Sequence, residues 1–262
     1  MTNEIANPWK GMNEPNYYNE DDEKIIDAFN IKTKIAFDKY CADGNPHFID
    51  KNLLPEPYMG NPKANIILLY SNPGISSSKS EEHEHKEEKF RSALIKNLTH
   101  EEVEFPYYYL NPDPKFKETS GAKWILQRID EIITILNDDI KEEKLYKLLS
   151  NNFFTLQLHP FHSREFQPIK DSFSKDAYTM QLFMDAIDRV KKQEALMICT
   201  RSYAEWNKAY REKTGAKENL EGITNFIRTK NARSPYLTKG NLGEDNFNKL
   251  IKKLKEFLPK YL

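Results

Sequence analysis

The sequence predicts an α/β fold: a mostly parallel, four-stranded central sheet with helices on both faces, an α-β-α sandwich. Three observations predict it. Short apolar runs such as Ile66-Ile67-Leu68-Leu69 end abruptly in polar or proline-containing turns, as strands buried on both faces do. Segments with apolar residues at helical spacing separate those runs. The chain, at 262 residues, is long enough to bury a core without disulfide staples.

The elements follow in order. Residues 21–42 carry Ile25, Ile26, Phe29, Ile35, Ala36, Phe37 and Tyr40 near helical spacing, with Asp21 and Asp22 at the positive end of the helix dipole. Gly44 and Pro46 stop that helix, and the proline-rich stretch 54–62 is a rigid, extended approach to the first strand, 65–70. After Ile75-Ser76-Ser77-Ser78 a charged segment runs to Lys89, and Glu81-Glu82-His83-Glu84-His85 within it reads as a solvated loop. Phe90, Ala93, Leu94 and Leu98 then share a helical face, and residues 105–112 form an aromatic loop. Trp124 to Leu136 predicts one strong amphipathic helix. Strands follow at 152–158, 195–199 and 223–228, separated by helices carrying Leu182, Phe183, Ile187 and Val190, and then Tyr203 and Trp206. Gly240 and Gly243 precede a last amphipathic helix, 247–258. The whole reads as one domain over 1–262: a helical and extended segment over 1–60, a core over 65–243, and a C-terminal helix within 244–262.

Composition excludes several classes. Charged residues make up 30% of the chain and aromatic residues 12%, a water-soluble globular balance. Cys41 and Cys199 offer neither a disulfide framework nor a metal cluster, so they read as reduced thiols of a cytoplasmic protein. No apolar run approaches the roughly 20 residues that cross a bilayer. The polar, acidic first 22 residues resemble neither a signal nor a transit peptide. The net charge of −1 hides an asymmetry, because residues 189–262 hold 17 basic against 8 acidic residues. Arg228, Lys230, Arg233 and Lys239 lie in a stretch without acids. That suits a surface for phosphates, although charges distant in sequence also mix on a folded surface.

Polar residues gather where strands end. In a parallel sheet those ends share one edge, the edge at which open α/β sheets bind ligands. Asn72 follows the first strand; His159, His162 and Ser163 follow the second; Asn231, Arg233 and Ser234 follow the fourth.

These residues carry a resemblance. Ser71-Asn72-Pro73-Gly74 resembles the first motif of the uracil-DNA glycosylase superfamily in its Asn-Pro-Gly version. The stretch Ala195-Leu196-Met197-Ile198-Cys199-Thr200-Arg201-Ser202-Tyr203-Ala204 is similar to that superfamily's third strand and following helix. Arg233-Ser234-Pro235-Tyr236-Leu237, followed by Gly240 and Gly243, resembles a degenerate second motif. The likeness covers 65–243 in element order. Ala232 stands where the family has histidine and Arg233 where it has proline, and His159 stands in place of the base-reading Asn that ends the second strand. These departures point away from plain uracil.

The resemblance implies a monofunctional DNA glycosylase that flips a modified or damaged pyrimidine out of DNA and leaves an abasic site. Some superfamily members excise bulky modified cytosines from phage DNA in antiviral defence. Asn72 would orient the attacking water. His159 and Arg233, with His162, would donate to the departing base, on which negative charge develops. Ser71, Pro73, Gly74 and Asn231 would shape the base pocket, and Tyr107, Tyr108 or Tyr109 would stack on the base. Tyr236 and Leu237 would fill the gap in the duplex, while Ser163, Ser234, Pro235 and Lys239 would hold the flanking backbone. Such chemistry needs no metal and no cofactor, and a monomer suffices.

Blander accounts stand beside each role. His159-Pro160 also suits a plain strand-ending turn, one or more of the three tyrosines also suits core packing, and Arg233 also suits a surface ion pair. A binding module without catalysis on the same scaffold is the alternative function. A metal-dependent hydrolase using His83, His85, His159 and His162 is a third.

Overall fold

The structure is a computed structural model describing residues 5–11, 17–38, 44–75, 78–170 and 173–262. Tyr40, Cys41, Ser76 and Ser77 lie outside the described residues. The helices are α1 (Glu20–Asp38), α2 (Ser78–Lys86), α3 (Glu88–Thr99), α4 (Pro114–Lys117), α5 (Ser120–Arg128), α6 (Asp130–Asn137), α7 (Glu142–Asn152), α8 (Asp176–Lys191), α9 (Tyr203–Thr214), α10 (Lys239–Leu242) and α11 (Glu244–Lys255). The strands are β1 (Tyr58–Gly60), β2 (Ile66–Tyr70), β3 (Phe153–Gln157), β4 (Leu196–Cys199) and β5 (Phe226–Arg228).

They form one sheet in the order β1-β3-β2-β4-β5. β2 runs parallel to β3 and β4, and β4 parallel to β5, with Leu68 opposite both Thr155 and Ile198. The four expected strands are therefore present and parallel. A fifth, β1, lies antiparallel on the β3 edge. At three residues, directly after Pro57, it is too short for its alternation to show in sequence. Gly60 closes it at φ 95°, and a Cβ there would meet the Phe153 carbonyl oxygen at 2.3 Å, so only glycine fits.

β2 is buried at every residue, the consequence of an apolar run covered on both faces. Alternation on β3 separates the layers. Phe154 faces Tyr58 and, through it, Tyr178 of α8. Phe153 and Thr155 face Tyr107 on the other side. Phe183 of α8 meets Trp206 of α9 at 4.8 Å, so these helices pack together.

Some helical expectations need correction. Residues 120–137 form two helices, because the Arg128 carbonyl accepts from Leu237 N–H. The charged stretch expected as a loop is largely α2, and His85 within it is buried. On α1, Ile26 is buried with Ile49, Phe161 and Phe173, whereas Ile35 is 69% exposed. The N-terminal segment thus braces the loop after β3 and adds an edge strand. No helix among the described residues is long and apolar enough to cross a membrane.

β2 connects onward toward β3, while β4 connects toward β5. Their chain directions part at the carboxyl ends of β2 and β4, which opens a crevice there.

Candidate functional site

Three segments meet at that crevice. The turn after β2 presents Ser71 to Gly74. The loop after β3 lies along it, with His159 N–H donating to the Ser71 carbonyl at 2.9 Å and Ser163 N–H to the Pro73 carbonyl at 3.3 Å. Residues 50–56 close the other side, Glu56 N–H donating to the Pro160 carbonyl at 2.7 Å. Between them lies a cleft of about 300 Å³, at the small end of ligand pockets.

Asn72 lines the cleft with its carboxamide fixed. Its Nδ2 donates to the carbonyls of Pro73 (2.9 Å) and Ser163 (3.0 Å) and to Ser163 Oγ (2.9 Å). Two carbonyl acceptors define which end of the amide is nitrogen. Ser163 Oγ spends its own proton on the Glu165 carbonyl. Asn72 Oδ1 accepts no hydrogen bond among the described residues, so a rigid, unused acceptor sits at the cleft. A second carboxamide, Gln157 at the end of β3, also lines it, and its buried Oε1 has no partner among the described residues. Rings of Tyr107, Tyr109, Trp124 and Phe166 supply apolar walls.

Glu56 forms the floor. It is 2% exposed and accepts from Tyr109 OH at 3.0 Å. His162 Nε2 lies 3.4 Å and His85 Nε2 3.8 Å from Glu56 Oε1. Burial pushes the Glu56 pKa up, but the close rings of His162 and His85 hold it below the usual carboxylate value. His162 Nδ1 faces the Gly74 carbonyl at 3.3 Å, and Nε2 approaches Glu56 Oε1 without the alignment of a hydrogen bond. His85 is the opposite case. Its Nδ1 accepts from Leu54 N–H at 3.0 Å, so the neutral ring carries its proton on Nε2. Burial, then the His162 charge, pushes the His85 pKa down to about 3.

Donor atoms of Glu56, His85 and His162 lie within 4.8 Å of one another, close enough to suggest a cation. The hydrogen bonds do not fit one. A ligating imidazole donates its far N–H to an acceptor, whereas the far nitrogen of His85 accepts a hydrogen bond from Leu54 N–H. The trio reads as a buried carboxylate flanked by two imidazoles.

The structure brings Ser71, Asn72, Pro73, Gly74, Tyr107, Tyr109 and His162 to the cleft wall, with Ser163 bonded behind Asn72. Tyr108 packs edge-on against Phe90 and does not line it. His159 is also off the cleft. It stacks on Phe166 at 5.2 Å, and its Nε2 accepts from Ile169 N–H. Burial pushes its pKa down to about 4. Arg233 is exposed, and its N–H and the Asn231 side chain close a local turn. Ser234 and Tyr236 give their carbonyls to Asn241, Pro235 lies between them, and Lys239 N–H bonds Glu131. Leu237 is fully buried and is no wedge. His83 is exposed and belongs to no cluster with His85.

Sequence reasoning missed Glu56, Gln157, Trp124, Phe166, Arg164 and Arg201, all of which line the cleft. Glu56 had a signal, a lone carboxylate between two prolines in an apolar stretch. Arg201 had one too, following the third parallel strand directly.

Two predictions arise here. A Cβ on Gly121 would meet Tyr109 Cζ at 2.2 Å, so Gly121→Ala must displace the ring that bonds Glu56. A loss of about 1–3 kcal/mol is expected, read from thermal unfolding. The second concerns acid. His85 and His159 have folded pKa values of about 3 and 4 against an unfolded 6.5, so the unfolded chain binds more protons between those limits. Their contribution is complete above the unfolded value and lost as pH falls, on the order of 3 kcal/mol per ring by about pH 4. Urea midpoints near neutrality and near pH 4 measure it.

Comparisons with protein-family models, with curated proteins and with solved structures find no match to this chain.

Proposed function

We propose that the protein is a DNA glycosylase that hydrolyses the N-glycosidic bond of a modified or damaged pyrimidine and leaves an abasic site. One observation carries the reading: two carboxamides with unbonded oxygens, Asn72 and Gln157, line one small aromatic-walled cleft at the carboxyl edge of a parallel sheet. Asn72 Oδ1 is a pre-set acceptor for the attacking water. Gln157 offers an acceptor and donors at the end of β3, the role first sought at His159, and a buried amide oxygen left unmatched costs about 1–3 kcal/mol until a ligand donor meets it. Tyr107, Tyr109, Trp124 and Phe166 offer surfaces for a flipped base. A buried imidazole, His162, lines the cleft as a donor for negative charge on a leaving base. The bond breaks with its electron pair going to the base, and water supplies hydroxyl to the sugar and a proton to the base.

The test is direct. The purified protein is incubated with lesion-bearing oligonucleotides and with phage DNA carrying modified bases, then treated with alkali. Strand breaks are expected with at least one modified pyrimidine. A nucleotide-binding module without catalysis is the second reading, favoured by the exposed Arg233 side chain, which is not part of the cleft lining. Binding without breaks on every substrate selects it.

A further inference from the structure

Beside the cleft stand two arginines without acids. Arg128, in the last turn of α5, lies between the rings of Trp124 (4.6 Å) and Tyr236 (4.7 Å). Its Nη1 donates to the Trp124 carbonyl and to Gln127 Oε1. Arg201 follows β4 and lines the cleft, with Nη2 donating to the Arg233 carbonyl at 3.4 Å. Neither forms an ion pair among the described residues, and the Nε of each is buried without a hydrogen-bond partner there. Glu205, in the first turn of α9, pairs with neither.

Both guanidiniums meet the same short segment, Arg201 through the Arg233 carbonyl and Arg128 through the Tyr236 ring, which brings them to one corner of the molecule. Burial lowers the Arg201 pKa, the Tyr70 hydroxyl opposes that, and the Arg128 charge adds to it. Like charges, half-buried and short of acceptors, are costly unless an anion joins them. The fold nevertheless holds Arg128 rigid between two rings. The same corner is positive for another reason. Ser202, the N-cap of α9, gives α9 no side-chain cap; its Oγ instead pairs with Oγ of the cleft residue Ser71 at 2.8 Å. The positive end of that twelve-residue helix is therefore at the cleft wall.

We propose that Arg128 and Arg201 form a phosphate subsite that holds a backbone phosphate of the nucleotide whose base enters the cleft. The anion site rests on the arginines themselves, and its assignment to a DNA phosphate rests on the proposed function. Planar guanidinium forks with free N–H groups match phosphate oxygens in pairs. This places sequence-independent affinity where the end of β4 and the end of α5 meet the 233–236 segment, and not on the exposed Arg233 and Lys239 side chains.

Anisotropy of a fluorescein-labelled single-stranded oligonucleotide, titrated over a range of salt, tests it. Arg128→Gln and Arg201→Gln are each expected to weaken binding about tenfold. Each should also flatten the slope of log K against log salt by about 0.7. Arg201→Lys should keep the slope and lose part of the affinity. Unchanged affinity and slope in both glutamine variants, with melting curves like the parent's, overturn the subsite. In the parent protein, inorganic phosphate and deoxycytidine 5′-monophosphate should shift Trp124 fluorescence and compete with the oligonucleotide. No competition by either also overturns it, whether or not the variants fold. Binding of the mononucleotide but not of the oligonucleotide keeps the subsite, makes a free nucleotide its ligand and removes the DNA reading. Salt-slope changes without alkali-labile breaks leave the subsite standing and defeat the glycosylase. Breaks with unchanged slopes do the reverse.

Discussion

Asn72→Ala is expected to slow base release by roughly 10²–10³-fold while leaving oligonucleotide affinity within about twofold. The amide is held by three hydrogen bonds from Nδ2, so its oxygen keeps one direction without cost at the moment of reaction. On the proposed mechanism, alanine removes the acceptor that orients the attacking water. Single-turnover strand-break assays separate this loss from binding. Equal rates in the variant would take Asn72 out of the mechanism. Asn72→Asp sharpens the point. A carboxylate is the stronger base, yet here it would set a negative oxygen against the carbonyls of Pro73 and Ser163, which now accept protons from Nδ2. A gain in rate is therefore not expected, and the turn should loosen. Rescue of activity by Asp above the Asn level would show that the amide's donors are dispensable.

Glu56→Ala is expected to lower stability by about 3–5 kcal/mol, the largest effect on folding expected of any cleft residue. The carboxylate is buried against Tyr109, His162 and His85, and its removal strands the buried polar groups that face it. Glu56→Gln keeps an oxygen for Tyr109 OH and the side chain's shape, so the expected loss falls to about 2 kcal/mol. Urea midpoints near neutral pH measure both. A loss under about 1 kcal/mol for Glu56→Ala would mean that the contacts of the carboxylate with Tyr109, His162 and His85 contribute little to the fold. The consequence reaches the site, since His162 also bonds Gly74 and its neighbour Ser163 bonds Asn72.

Much of the sheet was legible. β2, β3, β4 and β5 are apolar runs bounded by turn residues, and their bounds fall within the expected segments. Their parallel arrangement followed from the helices between them. β1 was not legible, because three residues after a proline carry no periodicity. The break between α5 and α6 was not legible either, since its cause is Leu237, over a hundred residues away in sequence. His85 was misplaced for a related reason. A charged stretch looks solvated throughout, yet α2 turns this one imidazole inward to Leu54 N–H.

The site divides in the same way. Strand-end position brought Asn72 to the cleft, because a parallel sheet gathers its carboxyl ends along one edge. The same rule led to His159 and Arg233, and there it failed. Beyond the last strand residue the chain turns freely, and the side chains that return to the cleft are His162, Arg164 and Phe166 after β3 and Arg201 after β4.

Local pattern by itself determined the strands, their shared edge and the asparagine that ends the first of them, because periodicity and turn chemistry act over a few neighbouring residues. Tertiary structure alone decided that Glu56, Gln157 and Arg201 stand around that asparagine and that His159 and Arg233 do not. Burial, and the matching of donors to acceptors, are settled between segments a hundred residues apart.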